Sequence, residues 1–255
     1  MSKLIPVLLD GTNLSRVWAT AFLSLVDHPG TEIAPLVVSL TGFTEGEPEE
    51  DTALRTALDH SLADNGKAHV HTVANTIFPK SVWRASKYDR AILFKTYKEN
   101  IPRYKAWESR KNHRGLYFER LIAYGRGPHD GNQLEFIISE YNSRKGVRRS
   151  MLQGSIFDPE RDHVRSAQLG FPCLQHVSFV PNDGGLIINS FYATQQVFEK
   201  AYGNYLGLCR LGHFMAHEMH LTLERMNCVI GVEKLDFSPK SKLSSLVEAA
   251  RKAVA

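Results

Sequence analysis

Apolar positions along this chain recur at two different spacings, and the spacings alternate. From Leu14 to Val26, residues such as Val17, Leu23 and Val26 fall on one side of a helical wheel, and Asn13 or Ser15 can cap the first turn with a side-chain oxygen. Ile33 to Thr41 is apolar and β-branched, which predicts a strand. Thr52 to Ala63 predicts a short helix closed by Asn65-Gly66, and Val70 to Thr76 predicts an extended segment. Asp89 to Glu99 is helical, with Pro102 as its limit, and Gln133 to Tyr141 places Leu134, Ile137, Ile138 and Tyr141 on one face. Leu174 to Val180 and Leu186 to Tyr192 predict a hairpin turned at Asp183-Gly184. A long helical period follows from Gln195 to about Leu223, and Cys228 to Val232 predicts a closing strand. Helices mixed with an antiparallel hairpin predict an α/β or α+β class, and no repeat or long linker divides the chain, so residues 1–255 are taken as one domain.

Composition narrows the function classes. No apolar run approaches the roughly 20 residues a membrane helix needs, and the first residues lack a signal-peptide pattern. Three widely spaced cysteines, Cys173, Cys209 and Cys228, form no metal-type pair and fit a reducing, cytoplasmic setting. His213, His217 and His220 sit at helical spacing, but His-Glu-Met-His lacks the gap of a zincin motif, so no metal site is expected. The acidic run Glu45 to Asp51 reads as a solvated loop. Between Arg84 and Arg114 stand ten Lys or Arg against three acids, interleaved with aromatics. Nucleic acid could bind there, although such residues more often pack a helix under their own aliphatic stems.

The candidate chemistry centres on Phe171-Pro172-Cys173 at a strand entrance. Proline fixes the backbone there, and a thiol near positive charge can serve as a nucleophile. Arg148 and Arg149 suit the oxygens of a phosphate monoester. Asn204, 31 residues after Cys173, offers a donor and an acceptor on one flat group, which matches the polar edge of a pyrimidine.

In order along the chain stand Asn132-Gln133-Leu134, Arg148-Arg149, Asp158-Pro159, Pro172-Cys173, the hairpin, Asn204 and Ala216-His217. This ordered set resembles the thymidylate synthase and pyrimidine hydroxymethylase superfamily, most clearly over 133–217, with a fainter likeness at Lys80-Ser81-Val82-Trp83 and at Tyr124-Gly125. The resemblance implies a large twisted mixed sheet flanked by helices and a homodimer with shared active sites. It implies transfer of a one-carbon unit from methylenetetrahydrofolate to carbon 5 of a pyrimidine nucleoside monophosphate, as methylation or hydroxymethylation, through a covalent adduct on Cys173. Arg148 and Arg149 would bind phosphate from across the dimer. Asn204 would read the base and favour uracil. Gln175, Tyr192 and Thr194 would line the nucleotide, and Asp89 would stand at the place of the general acid/base glutamate. The chain also departs from the family. Tyr192-Ala193-Thr194-Gln195-Gln196 replaces Gln-Arg-Ser-x-Asp and so loses a phosphate arginine; Leu174 replaces a histidine; Lys234 and Asp236 replace the sugar-binding His-x-Tyr; and Ser238 to Ala255 has no counterpart of the segment that closes over folate. The departures leave open a non-catalytic protein that binds a nucleotide or a partner, and the basic stretch leaves open a nucleic-acid-binding module.

Overall fold

The computed structural model describes residues 4–28, 30, 32–165, 171–235 and 240–255. Six strands form one sheet in the order β1 (Leu4–Gly11), β2 (Glu32–Leu40), β6 (Thr222–Lys234), β5 (Gly185–Gln196), β4 (Leu174–Asn182) and β3 (Gln153–Ser155). The β1/β2 and β5/β6 pairs are parallel and the others antiparallel, so the sheet is mixed.

The helices are α1 (Leu14–Asp27), α2 (Thr52–Asp64), α3 (Val70–Ile77), α4 (Lys80–Ala85), α5 (Arg90–Trp107), α6 (Ser109–Asn112), α7 (Tyr117–Ile122), α8 (Pro128–Gly131), α9 (Gln133–Ser143), α10 (Pro159–Asp162), α11 (Tyr202–Glu218) and α12 (Ser244–Val254). The long central helix α11 runs behind β5 and β6, and nearly all of its residues are buried. It reads apolar on every side because it has neighbours on every side. Among them is α3, which approaches through Gly203 and Gly207. A methyl at Gly203 would come 2.6 Å from the Val73 side chain, and one at Gly207 would come 2.9 Å from the Ala74 carbonyl.

Several elements depart from the sequence expectation for stated reasons. Val70 to Thr76 is helical: Val70, Val73, Ala74 and Ile77 share the face buried against α11, so the spacing outweighs their β-branching. Helix α5 continues through Pro102 to Trp107, with Pro102 exposed. Strand β5 extends to Gln196, and a π-type turn at Val197–Ala201 precedes α11, so the helix starts later than Gln195. Strand β1 and helix α12 were not anticipated. The acidic run is not freely solvated: Glu47 meets Lys80 at 2.6 Å, Glu50 meets Arg55 at 2.7 Å and the Tyr202 hydroxyl at 2.8 Å, and Asp51 caps α2.

One irregularity crosses three strands. Side chains should alternate between faces, yet each strand has a two-residue gap between buried positions: Ile33 and Leu36 in β2, Ile230 and Glu233 in β6, Tyr192 and Gln195 in β5. The gaps are in register, with Leu36, Ile230 and Tyr192 in one row and Ile33, Glu233 and Gln195 in the next. The shared phase slip turns polar residues inward near the Cys173 end of β4.

Among the described residues, no helix covers the centre of the other face of the sheet. Leu8, Val37, Val229, Phe191 and His176 form one row, and Leu8, Phe191 and Val229 are exposed. Beside it runs a polar ladder in which Arg225 donates to Asp10 and Ser39, Asn227 donates to Asn189, and Asn189 donates to Ser178.

Candidate active site

Cys173 lies one residue before β4 and is exposed, whereas Cys209 and Cys228 are fully buried in α11 and β6. Burial raises the Cys209 thiol well above its ordinary range and pushes Cys228 up to about 12. The Cys173 carbonyl accepts from the Ala193 amide at 2.9 Å, which fixes the loop on β5. Its Sγ then sits 3.9 Å from Thr194 Oγ1. Gln175 turns back to donate to the Pro172 carbonyl, so it shapes the turn at the nucleophile. Tyr192, opposite Leu174 across the strands, is fully buried, and its hydroxyl has no partner among the described residues.

Tyr117 stands near the same thiol and belongs to no motif of the sequence. It lies within electrostatic reach of Cys173 and of the backbone amides of Cys173 and Leu174, and its ring lies edge-on to Tyr192 at 6.4 Å. Burial and the neighbouring Cys173 charge raise its pKa, against the pull of the two amides. Helix α7, which carries it, is anchored by Arg120. The Arg120 guanidinium is buried and makes two hydrogen bonds to Asp162, at 2.7 and 2.8 Å. Nothing in the spacing of the sequence joins Tyr117 to Cys173.

Asn204, in the first turn of α11, is buried, and its neighbour Tyr205 lies within electrostatic reach of Tyr192. The Tyr205 hydroxyl faces Glu233, and its pKa is raised by burial and then by that carboxylate. Gln195, in the same row as Glu233, is buried, and neither atom of its amide has a partner among the described residues. A buried amide of that kind marks a place for water or for a bound polar group.

The structure does not gather every expected residue around Cys173. Arg148 and Arg149 are exposed at the far end of β4, where Leu152 accepts from Phe179. The six residues from Phe179 to Cys173 span roughly 20 Å at strand rise, so these arginines do not reach the thiol of their own chain. Asp89 caps α5, accepting from the Ile92 amide, beside Tyr88, Trp83 and His217. His217 lies twelve positions along α11 from Tyr205, roughly 18 Å at helical rise. Asp89 therefore serves the far end of that helix. Lys234 is exposed at the end of β6, and Asp236 lies outside the described residues. Much of the basic stretch is engaged within the fold, with Arg90 on Glu135 and Glu218, Lys98 on Asp130 and Lys105 on Glu119. Trp107 remains exposed, with Arg103 stacked over its ring.

No known family model matches the sequence. A Methanocaldococcus jannaschii protein named "Putative thymidylate synthase" is 28% identical over 105 residues, covering 40% of this chain and 46% of that protein. The match thus spans less than half the length of that relative. Among solved structures, the thermostable thymidylate synthase A from Bacillus subtilis superposes with a TM-score of 0.57 over 94% of this chain and 84% of that one, at 12% identity. The likeness rests on the mixed six-stranded sheet with its flanking helices: this chain has a thymidylate synthase-like fold in a divergent sequence.

Proposed function

We propose that the chain activates carbon 5 of a pyrimidine nucleotide for one-carbon transfer, with Cys173 as the nucleophile. One observation carries the reading: of three thiols only Cys173 is exposed, and its Sγ lies 3.9 Å from Thr194 Oγ1 at the entrance of β4. The Cys173 thiolate would add to ring carbon 6, forming an S–C6 bond and moving the C5–C6 π electrons onto the carbon 4 oxygen. Carbon 5 then bonds to an electrophilic carbon and gives up its proton to a base, and elimination of the thiolate restores the double bond. Splitting the substitution in this way replaces one hard step with easier ones. Tyr117, which lies within electrostatic reach of Cys173, would hold or pass that proton. Asn204 faces the base edge and favours uracil. Gln175 holds the loop, and Tyr192 and Thr194 line the nucleotide.

Methylenetetrahydrofolate, the donor that the resemblance implies, would supply the one-carbon unit. The chain does not reproduce the expected receptor: α12 packs on α1 and α2, at the β1–β2 side of the sheet, and does not close over Cys173. The chemistry above therefore stands on the chain's own residues and leaves the donor to the assay.

The same reading requires a second copy. Arg148 and Arg149 would contribute phosphate contacts only across an interface, and the open sheet face with its exposed apolar row is the surface on which two copies would meet about a two-fold axis. A second reading, nucleotide binding without turnover, is favoured by Ala193, which stands where a phosphate arginine is expected. Incubation with deoxyuridylate, deoxycytidylate and their ribose forms, with and without methylenetetrahydrofolate, separates the two. Solvent exchange of the carbon 5 hydrogen, or a product heavier by a methyl or hydroxymethyl group, is expected. Binding with neither supports the non-catalytic reading.

A further inference from the structure

Two residues before Cys173, Phe171 is exposed and stacks on Phe157 with ring centroids 5.6 Å apart and planes 28° from parallel. Phe157 in turn meets His163 at 5.1 Å. Phe157 is held beside the nucleophile because its amide donates to the Gln175 carbonyl at 3.1 Å. Phe171 and Phe157 thus form a stacked pair beside Cys173, with the His163 ring tilted 57° against Phe157. The segment that carries His163 also presents exposed Arg165 and Arg161, the latter 3.7 Å from the Asp158 carboxylate. A helix away, α7 is tied by Glu119 to Lys105 of α5, where exposed Trp107 carries Arg103 over its face.

Bases of any sequence stack on exposed aromatic rings while cations track the phosphates. A lone nucleoside monophosphate has one base, which the Cys173 pocket would hold, and no second ring for this stacked pair. Resting on the reading of Cys173 above, we infer that the substrate is single-stranded nucleic acid, whose target pyrimidine enters at Cys173 while an adjacent base stacks on Phe171 and its phosphates lie along Arg161 and Arg165.

The test compares free 5-fluorodeoxyuridylate with a short single-stranded oligonucleotide carrying one 5-fluorodeoxyuridine between purines. Affinity is read by fluorescence anisotropy and by competition, and adducts by mass. The oligonucleotide is expected to bind at least about ten-fold more tightly, with an affinity that falls as salt rises. Phe171→Ala should lower the ratio of oligonucleotide to mononucleotide affinity by about ten-fold, the scale of one stacking contact, and Phe171→Trp should restore it. Equal affinity for both ligands, or a Phe171→Ala effect seen only in the concentration dependence on methylenetetrahydrofolate, overturns the inference, the latter by giving the rings to the donor. An adduct from the mononucleotide alone also overturns it while leaving Cys173 as nucleophile. Phe171-dependent oligonucleotide binding with no adduct from either probe upholds the subsite and removes the covalent chemistry.

Discussion

At the scale of single residues, the three cysteines divide by exposure. Cys173→Ser should abolish turnover with little change in the melting temperature, because serine is close in size but a far weaker nucleophile at neutral pH. Cys209→Ala and Cys228→Ala should instead lower stability by about 1–2 kcal/mol, measured by urea unfolding, as expected for small cavities in a packed core. Asn204→Asp should move base preference from uracil towards cytosine, since it changes the donor and acceptor pattern facing the ring. If wild type and variant treat both bases alike, Asn204 is not the reader. Arg120 offers a purely structural contrast. Arg120→Ala strands the buried Asp162 carboxylate and should cost about 3–5 kcal/mol, shifting the unfolding midpoint well below that of wild type. Cys173, Asn204 and the arginine pair stand out in the sequence because each sits in an ordered set of residues, and of these the structure leaves Arg148 and Arg149 away from the thiol of their own chain. Asp89 was assigned only by counting from Trp83. The structure shows its carboxylate occupied with the free amide of Ile92, a local demand that any Asp before a helix can meet. Tyr117 was illegible for the opposite reason: its approach to Cys173 depends on how α7 packs, which no local pattern encodes.

At the scale of elements, period outweighed residue type. Helix α3 was read as a strand from its β-branched residues, although Val70, Val73, Ala74 and Ile77 keep a helical interval. Gly203 and Gly207 let it lie close on α11, so Gly207→Val should destabilise the protein by about 1–3 kcal/mol through overpacking, read as a lower denaturation midpoint. Strand β1 lies at the sheet edge and alternates weakly, with buried neighbours on one side only, so its pattern gave no clear signal. The π-type turn before α11 is pinned at Glu199. Burial alone would raise that carboxyl, but hydrogen bonds from Lys67 and Lys200 prevail and hold it near 2. A carboxyl depressed by folding stabilises the protein above its unfolded pKa of about 4.3. That stability should be lost as pH falls from there towards 2. Lys67→Met should flatten the acid limb of a plot of melting temperature against pH across that window, and an unchanged limb would show that the pair contributes nothing.

At the scale of the whole molecule, the sequence yielded the mixed sheet and the hairpin, but not the in-register phase slip of β2, β5 and β6. That slip is a property of three neighbouring strands and turns Gln195 and Glu233 inward only because their rows align. The open sheet face is likewise visible only once strands are paired. If two copies meet there, light scattering should give a dimer at micromolar concentration. Phe191→Asp, which puts a charge in the apolar row, should give monomers and weaken nucleotide binding, because Arg148 and Arg149 would lose their access to a second chain's Cys173. The account as a whole rests on a nucleophilic thiol in a pyrimidine pocket, and intact-protein mass after incubation with a 5-fluoropyrimidine nucleotide, with and without methylenetetrahydrofolate, tests that most directly. Fluorine cannot leave carbon 5 as a cation, so a mass increase of one nucleotide per chain, mapped to Cys173 and absent in Cys173→Ser, is predicted. An unmodified mass with every pyrimidine nucleotide and oligonucleotide tried, from protein shown to be folded, would contradict it.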